Sequence, residues 1–160
     1  MKLYKVKDIK KFMGLLFASS FFDEYYLREG MIRTFVDYNI DGTYHKDFFK
    51  NDDTVEQHEQ KFALWSQLRP LCTSLIKGHN TPLSIKFVFG IEPEKLAAID
   101  NDGSIASLLI TIKFDENGIS LTSAINKSIF TMDRSTDESW DSYVEKMLIS
   151  AGLGIDSDEN

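Results

Sequence analysis

Apolar residues along this chain recur with two periods, and the switches between them mark the elements. Leu3 and Val6 fall between lysines over Met1–Val6, which predicts a short strand. Ile9, Phe12, Met13 and Leu16 then recur at i, i+3, i+4 and i+7, predicting an amphipathic helix over Asp8–Ala18 with Asp8 as its cap. Tyr26–Asn39 is β-branched and aromatic, with Ile32, Thr34, Val36 and Tyr38 on one face. Asp41-Gly42 reads as its turn and Thr43–Phe49 as the return strand. Lys50–Glu59 is a polar, acidic loop, and Gln60–Trp65 a short extended segment. Trp65, Leu68, Leu71, Cys72, Leu75 and Ile76 form the buried stripe of a second helix, Gln67–Lys77. Ser66 would cap it, Pro70 would lie in its first turn, and Gly78 would end it.

Beyond Pro82 the period returns to two. Leu83, Ile85, Phe87 and Phe89 alternate with Ser84, Lys86 and Val88, and Glu92–Ile99 reads as a short helical excursion. Ala106, Leu108, Ile110, Ile112 and Phe114 form a strand. Asp115-Glu116-Asn117-Gly118 turns it into a partner carrying Ile119, Leu121, Ser123 and Ile125. Ser128–Asp133 could add a strand. Ser135 and Glu138 then form a capping box for a last helix with Trp140, Tyr143, Val144, Met147 and Leu148 on one stripe and Gly152 at its end. The order strand, helix, strands occurs twice and one helix is appended. Hairpin connections imply an α+β domain, a mostly antiparallel sheet with two amphipathic helices on one face and a C-terminal helix.

At 160 residues the chain amounts to one domain, residues 1–155, with an acidic, frayed tail over 156–160. Forty-two per cent of it is hydrophobic, which excludes a disordered chain. Cys72 is the lone cysteine, so disulfide and cysteine–zinc scaffolds are excluded and a cytoplasmic location fits. Its apolar neighbours make it a small core residue. Five early lysines before an apolar patch superficially resemble a signal peptide, but the helical stripe running through them argues for a folded helix. No apolar run approaches the roughly 20 residues that span a bilayer, so no membrane partner is expected.

Catalytic and metal motifs fare poorly. Asp37-Tyr38-Asn39-Ile40-Asp41-Gly42 matches the start of an EF-hand loop, yet the twelfth position is Phe48, where a chelating carboxylate is required, so the stretch reads as a turn. Asp100-Asn101-Asp102-Gly103 likewise reads as a surface turn. His45, His58 and His79 share no ligand spacing. No nucleophile elbow, Walker loop or dinucleotide fingerprint occurs. No catalytic residue, metal ligand or cofactor is therefore assigned.

Charge is more informative. The net charge is −7, yet residues 1–18 carry +4 and the segment from Asp133 onward carries −6. Lys7 and Lys11 on the first helix lie off its apolar stripe with Lys10 beside that face, and Arg69 and Lys77 lie off the stripe of the second. They are the candidate nucleic-acid-binding residues, suited to backbone phosphates rather than base edges.

Two resemblances bear on this. Asn39-Ile40-Asp41-Gly42, Trp65-Ser66-Gln67-Leu68-Arg69-Pro70-Leu71-Cys72, Leu75-Ile76-Lys77-Gly78 and Thr81-Pro82-Leu83-Ser84-Ile85-Lys86-Phe87-Val88-Phe89 together resemble an uncharacterised bacterial family, a domain of unknown function. It brings no activity or site. The doubled element order is similar to one domain of a DNA sliding clamp, with halves Met1–Phe49 and Gln60–Asp133. That resemblance implies paired helices whose Lys7, Lys10, Lys11, Arg69 and Lys77 face duplex backbone. The expectation is a non-catalytic, clamp-like domain acting by protein–protein contact, self-association or weak DNA backbone contact. The alternative is a small-molecule-binding or hydrolytic protein with a pocket between the sheet and Lys50–Glu59.

Overall fold

A computed structural model describes residues 2–54, 60–91, 105–127 and 135–159. Within them the order is β1 (Lys2–Val6), α1 (Ile9–Phe17), β2 (Tyr26–Arg33), β3 (Asp37–Asp41), a 3-10 turn (Lys46–Phe49), α2 (Trp65–Ile76), β4 (Ser84–Ile91), β5 (Ile105–Asp115), β6 (Gly118–Lys127), α3 (Ser135–Ser150) and β7 (Ile155–Glu159). The strands form one seven-stranded sheet in the order β3-β2-β4-β5-β6-β1-β7. Every neighbouring pair is antiparallel. The chain is thus α+β, with a C-terminal helix. The expected helical excursion Glu92–Ile99, the turn Asp100–Gly103 and the strand Ser128–Asp133 lie outside the described residues, as does part of the Lys50–Glu59 loop.

The sheet is two-faced because its strands alternate. Tyr4, Val6, Ile85, Phe87, Phe89, Leu108, Ile110, Ile112, Ile119 and Leu121 are buried on one face. Lys86, Thr111, Lys113, Ser120 and Thr122 point to the other and remain at least partly exposed. All three helices cover the apolar face. Phe12, Leu16 and Phe17 enter from α1, Trp65 and Cys72 from α2, and Trp140, Val144 and Leu148 from α3. Aromatic contacts join the layers: Trp65 packs 5.1 Å from both Phe87 and Phe89, and Phe22 stacks on Phe89 at 5.7 Å. Under α3, the buried Ser123 hydroxyl donates to the Asp141 carboxylate, so this polar group in the core is satisfied.

Asp8 caps α1 as its sequence predicts, its carboxylate accepting the Lys11 N–H at 3.0 Å. The opposite end of α1 is tied down by its surroundings. Carbonyls of a last helical turn lack intrahelical donors. Here the Gly14 carbonyl takes the Ala18 N–H, Leu15 takes the Ser19 hydroxyl at 2.7 Å, and Leu16 takes the buried Trp65 indole N–H at 2.8 Å. The Thr73 hydroxyl reaches the Phe17 carbonyl at 3.4 Å, although its shorter bond, 2.7 Å, goes to Arg69. Helix α2 therefore meets α1 at the carboxyl end of α1.

Several expectations are corrected. The β2–β3 turn is Thr34–Val36, closed by the Thr34 N–H on the Val36 carbonyl, and not Asp41-Gly42. A bidentate Arg33–Asp37 pair at 2.7 and 3.2 Å braces its mouth. Gly42 is needed for a close approach instead: a Cβ there would sit 1.7 Å from the Leu27 carbonyl oxygen. Thr43–Phe49 is no strand. Thr43 makes a single bridge to Phe62, Leu64 makes one to Tyr26, and Lys46–Phe49 is the 3-10 turn. Helix α2 begins at Trp65 because the Gln67 side chain accepts the Leu64 N–H at 2.9 Å; Ser66 is already helical. Pro70 consequently lies in the second turn, where its missing N–H leaves the exposed Ser66 carbonyl to solvent. Leu71 and Leu83 are exposed, not core. The tail is acidic but not frayed. Ile155–Glu159 pairs with β1 in the register Lys2↔Glu159 to Val6↔Ile155.

Both sheet edges, β3 with the sequence DYNID and β7 with IDSDE, are acidic. No helix of the described residues is long and apolar enough to cross a membrane.

Candidate functional site

The five candidate cations fall into three settings. Lys7, just before the Asp8 cap, and Lys11, in the first turn of α1, both lie against the chain that runs from the end of α3 into β7. Lys7 pairs with Asp156 at 3.2 Å, and the Lys11 ammonium donates to the Gly152 carbonyl at 3.1 Å. Lys10 is exposed beside them. Arg69, near the middle of α2, is half-buried and holds Asp23 in a bidentate pair at 2.9 and 3.0 Å. Lys77 caps the carboxyl end of α2 and is exposed. Lys7, Lys10 and Lys11 are neighbours along the chain, and Lys7 and Lys11 are each held by a bond to the chain after α3. Arg69 and Lys77 stand apart from them, on a helix bonded to α1 through Leu16 and Phe17.

The EF-hand-like residues sit in β3 and its exit. Asp37 is engaged by Arg33, which holds its carboxyl below the ordinary value. Asp41 accepts the Thr43 N–H at 3.0 Å and the Thr43 hydroxyl at 2.7 Å, which lower its pKa as well. Among the described residues no three His, Cys, Asp or Glu side chains converge as a metal site. Cys72 is fully buried, and burial pushes its thiol up to about 12. Tyr25, which donates to the Met147 sulfur at 3.1 Å, is also raised by burial, with Tyr143 adding to the shift.

Sequence reasoning missed a cleft of about 360 Å³ where three segments meet. The hairpin tip contributes Thr34 and Phe35, the end of α2 contributes Leu75, Ile76 and Lys77, and the approach to β4 contributes Gly78 through Leu83 except Pro82. Phe35 is 90% exposed and Leu83 66% exposed, with Val36 and Leu71 also open to solvent. The Leu83 N–H bonds the Arg33 carbonyl at 2.8 Å and so fixes the β4 approach to the hairpin. Gly78 turns the chain out of α2 at φ +126°, a conformation for which glycine is suited. The only sequence-level hint was the pairing of two large apolar residues, Phe35 and Val36, within four residues of the polar stretch Asp37–Gly42.

A second cleft of about 480 Å³ lies between β2, β3 and β4 and mixes Arg28 and Lys86 with Glu29 and Asp41. A third, about 420 Å³, carries Asp23, Glu24, Tyr25 and Tyr143.

Residues 15–155 match the model of a family of unknown function, DUF5721. The chain belongs to that family. No curated protein and no solved structure matches it.

Proposed function

We propose that this chain is a non-catalytic, cytoplasmic domain of clamp-like architecture that works through protein–protein contact. The observation that carries this reading is the meeting of Phe35 and Leu83, two of the most exposed large apolar side chains among the described residues, at one cleft. Clamp-like organisation is supported by α1 and α2, which lie on one face of an antiparallel sheet and meet at one end. A cytoplasmic setting is supported by the single buried thiol. Acidic residues along both sheet edges disfavour edge-to-edge pairing between copies, so a different protein is the better partner.

Weak, sequence-independent DNA contact is a second reading, favoured by Lys10 and Lys11 in the first turn of α1 and Lys7 just before it. Arg69 and Lys7, already paired with carboxylates, and Lys11, bonded to a carbonyl, lend more support to the protein reading. A photo-crosslinker placed at position 83 in cells that make the protein tests it. A discrete protein adduct that disappears in Phe35→Asp is expected. No protein adduct, together with duplex affinity that falls steeply with salt and is lost on neutralising Lys7, Lys10 and Lys11, would transfer the function to DNA.

A further inference from the structure

The cleft beside the hairpin tip has an electrostatic character opposite to that of the chain around it. The protein carries a net charge of −7, yet among the described residues no carboxylate lines this cleft. Its lining is Thr34, Phe35, Leu75, Ile76 and Leu83, with Lys77 and His79 as the ionisable groups and neutral Gly78, Asn80 and Thr81 between. The nearest acid on the hairpin, Asp37, is held by Arg33 through two hydrogen bonds, so its charge is matched locally.

Size is a second constraint. About 360 Å³ lies at the small end of ligand-sized clefts and has room for one or two apolar side chains, not for a whole helix. Phe35, 90% exposed at the hairpin tip, leaves its ring open to contact, and Ile76 and Leu83 line the same cleft. An aromatic residue with only two side-chain torsions gives much contact area for little lost entropy.

We propose that this cleft receives a single apolar anchor residue flanked by carboxylates on a partner polypeptide. The proposal rests on the protein-contact reading above and adds the chemistry of the partner. The anchor packs between Phe35, Ile76 and Leu83, and the flanking carboxylates lie against Lys77 at the rim. Complementary rim charge selects the partner and speeds encounter more than it tightens the complex, so the preference for acidic flanks should weaken with salt.

The test uses three labelled hexapeptides: Asp-Glu-Leu-Phe-Asp-Glu, the same anchor with lysine flanks, and an acidic peptide with serines replacing Leu-Phe. Binding is read by fluorescence anisotropy at low salt, and the site by backbone amide shifts in the full chain. The acidic anchored peptide should bind at least tenfold tighter than either control and shift amides around Phe35, Ile76 and Leu83. Lys77→Glu should reverse the preference between flanks, and Phe35→Asp should abolish binding while leaving the circular dichroism unchanged.

Equal binding of acidic and basic flanks in the cleft would overturn the charge assignment and leave the protein-contact reading standing. Shifts confined elsewhere, or no binding by any peptide, would overturn this inference. Failure of the protein-contact reading is registered separately, by the absence of a protein adduct at position 83. A dimer in sedimentation velocity that Phe35→Asp dissolves would assign the cleft to a second copy and overturn the proposal as well.

Discussion

Trp65→Phe tests the joint between the two helices. Trp65 is fully buried, its indole N–H satisfies the Leu16 carbonyl at 2.8 Å, and its rings touch Phe17, Phe87 and Phe89. Phenylalanine keeps an aromatic ring in the layer and removes two things. The first is the indole donor to a buried last-turn carbonyl, whose loss costs about 1–3 kcal/mol. The second is the volume of the fused ring, where a small cavity costs about 1–2 kcal/mol. A loss of about 3 kcal/mol follows, near a 150-fold change in the folding constant. Urea unfolding followed by far-ultraviolet circular dichroism measures it. With a slope of about 2 kcal/mol per molar, the midpoint should fall by about 1.5 M. A loss below about 1 kcal/mol at unchanged slope would show that the Leu16 carbonyl finds another donor, and would refute the account of how α1 is terminated.

Gly42→Ala places a methyl group against the Leu27 carbonyl oxygen, and the nearest backbone cannot yield without breaking the Gly42–Arg28 bond of 2.9 Å. A loss of about 3 kcal/mol or more is expected in thermal melts, against a small effect were the glycine merely a turn residue. Cys72 should resist thiol reagents at pH 8 until urea passes the unfolding transition; rapid labelling of the native protein would contradict its burial. Because its folded pKa, about 12, is raised above the unfolded value, its contribution is intact below that value, near pH ~8.5, and is lost as pH rises towards 12. Phe35→Asp, at a position 90% exposed, should leave stability within about 0.5 kcal/mol by urea unfolding, which makes it a clean probe of binding.

Legibility varied with how local the cause was. The β5–β6 hairpin could be read because alternation and the turn glycine, Gly118 at φ +104°, are both local signals. The same holds for Asp8 and α1. Gly42 misled because its reason lies across the fold, at Leu27. Leu71 fell on the helical stripe yet faces solvent, since α2 buries chiefly its Trp65–Cys72 side. Strand β7 shows no apolar alternation; its order comes from backbone pairing with β1. For the candidate site, the acid that engages Arg69 is 46 residues away, and the cleft draws on three separate segments. Apart from the Phe35-Val36 pair, neither leaves a trace in local pattern.

The pairing of β7 with β1 also sets how the molecule responds to load. Lys2 and Glu159 are direct partners at one end of an antiparallel ladder, with Val6 and Ile155 at the other. Tension applied between residues 2 and 159 therefore loads one rung at a time, like a zipper opened from its tab, and never shears all the rungs together. Strand β7 should peel away at low force, while β2, β4, β5 and β6, still held on both sides, remain as the mechanical unit.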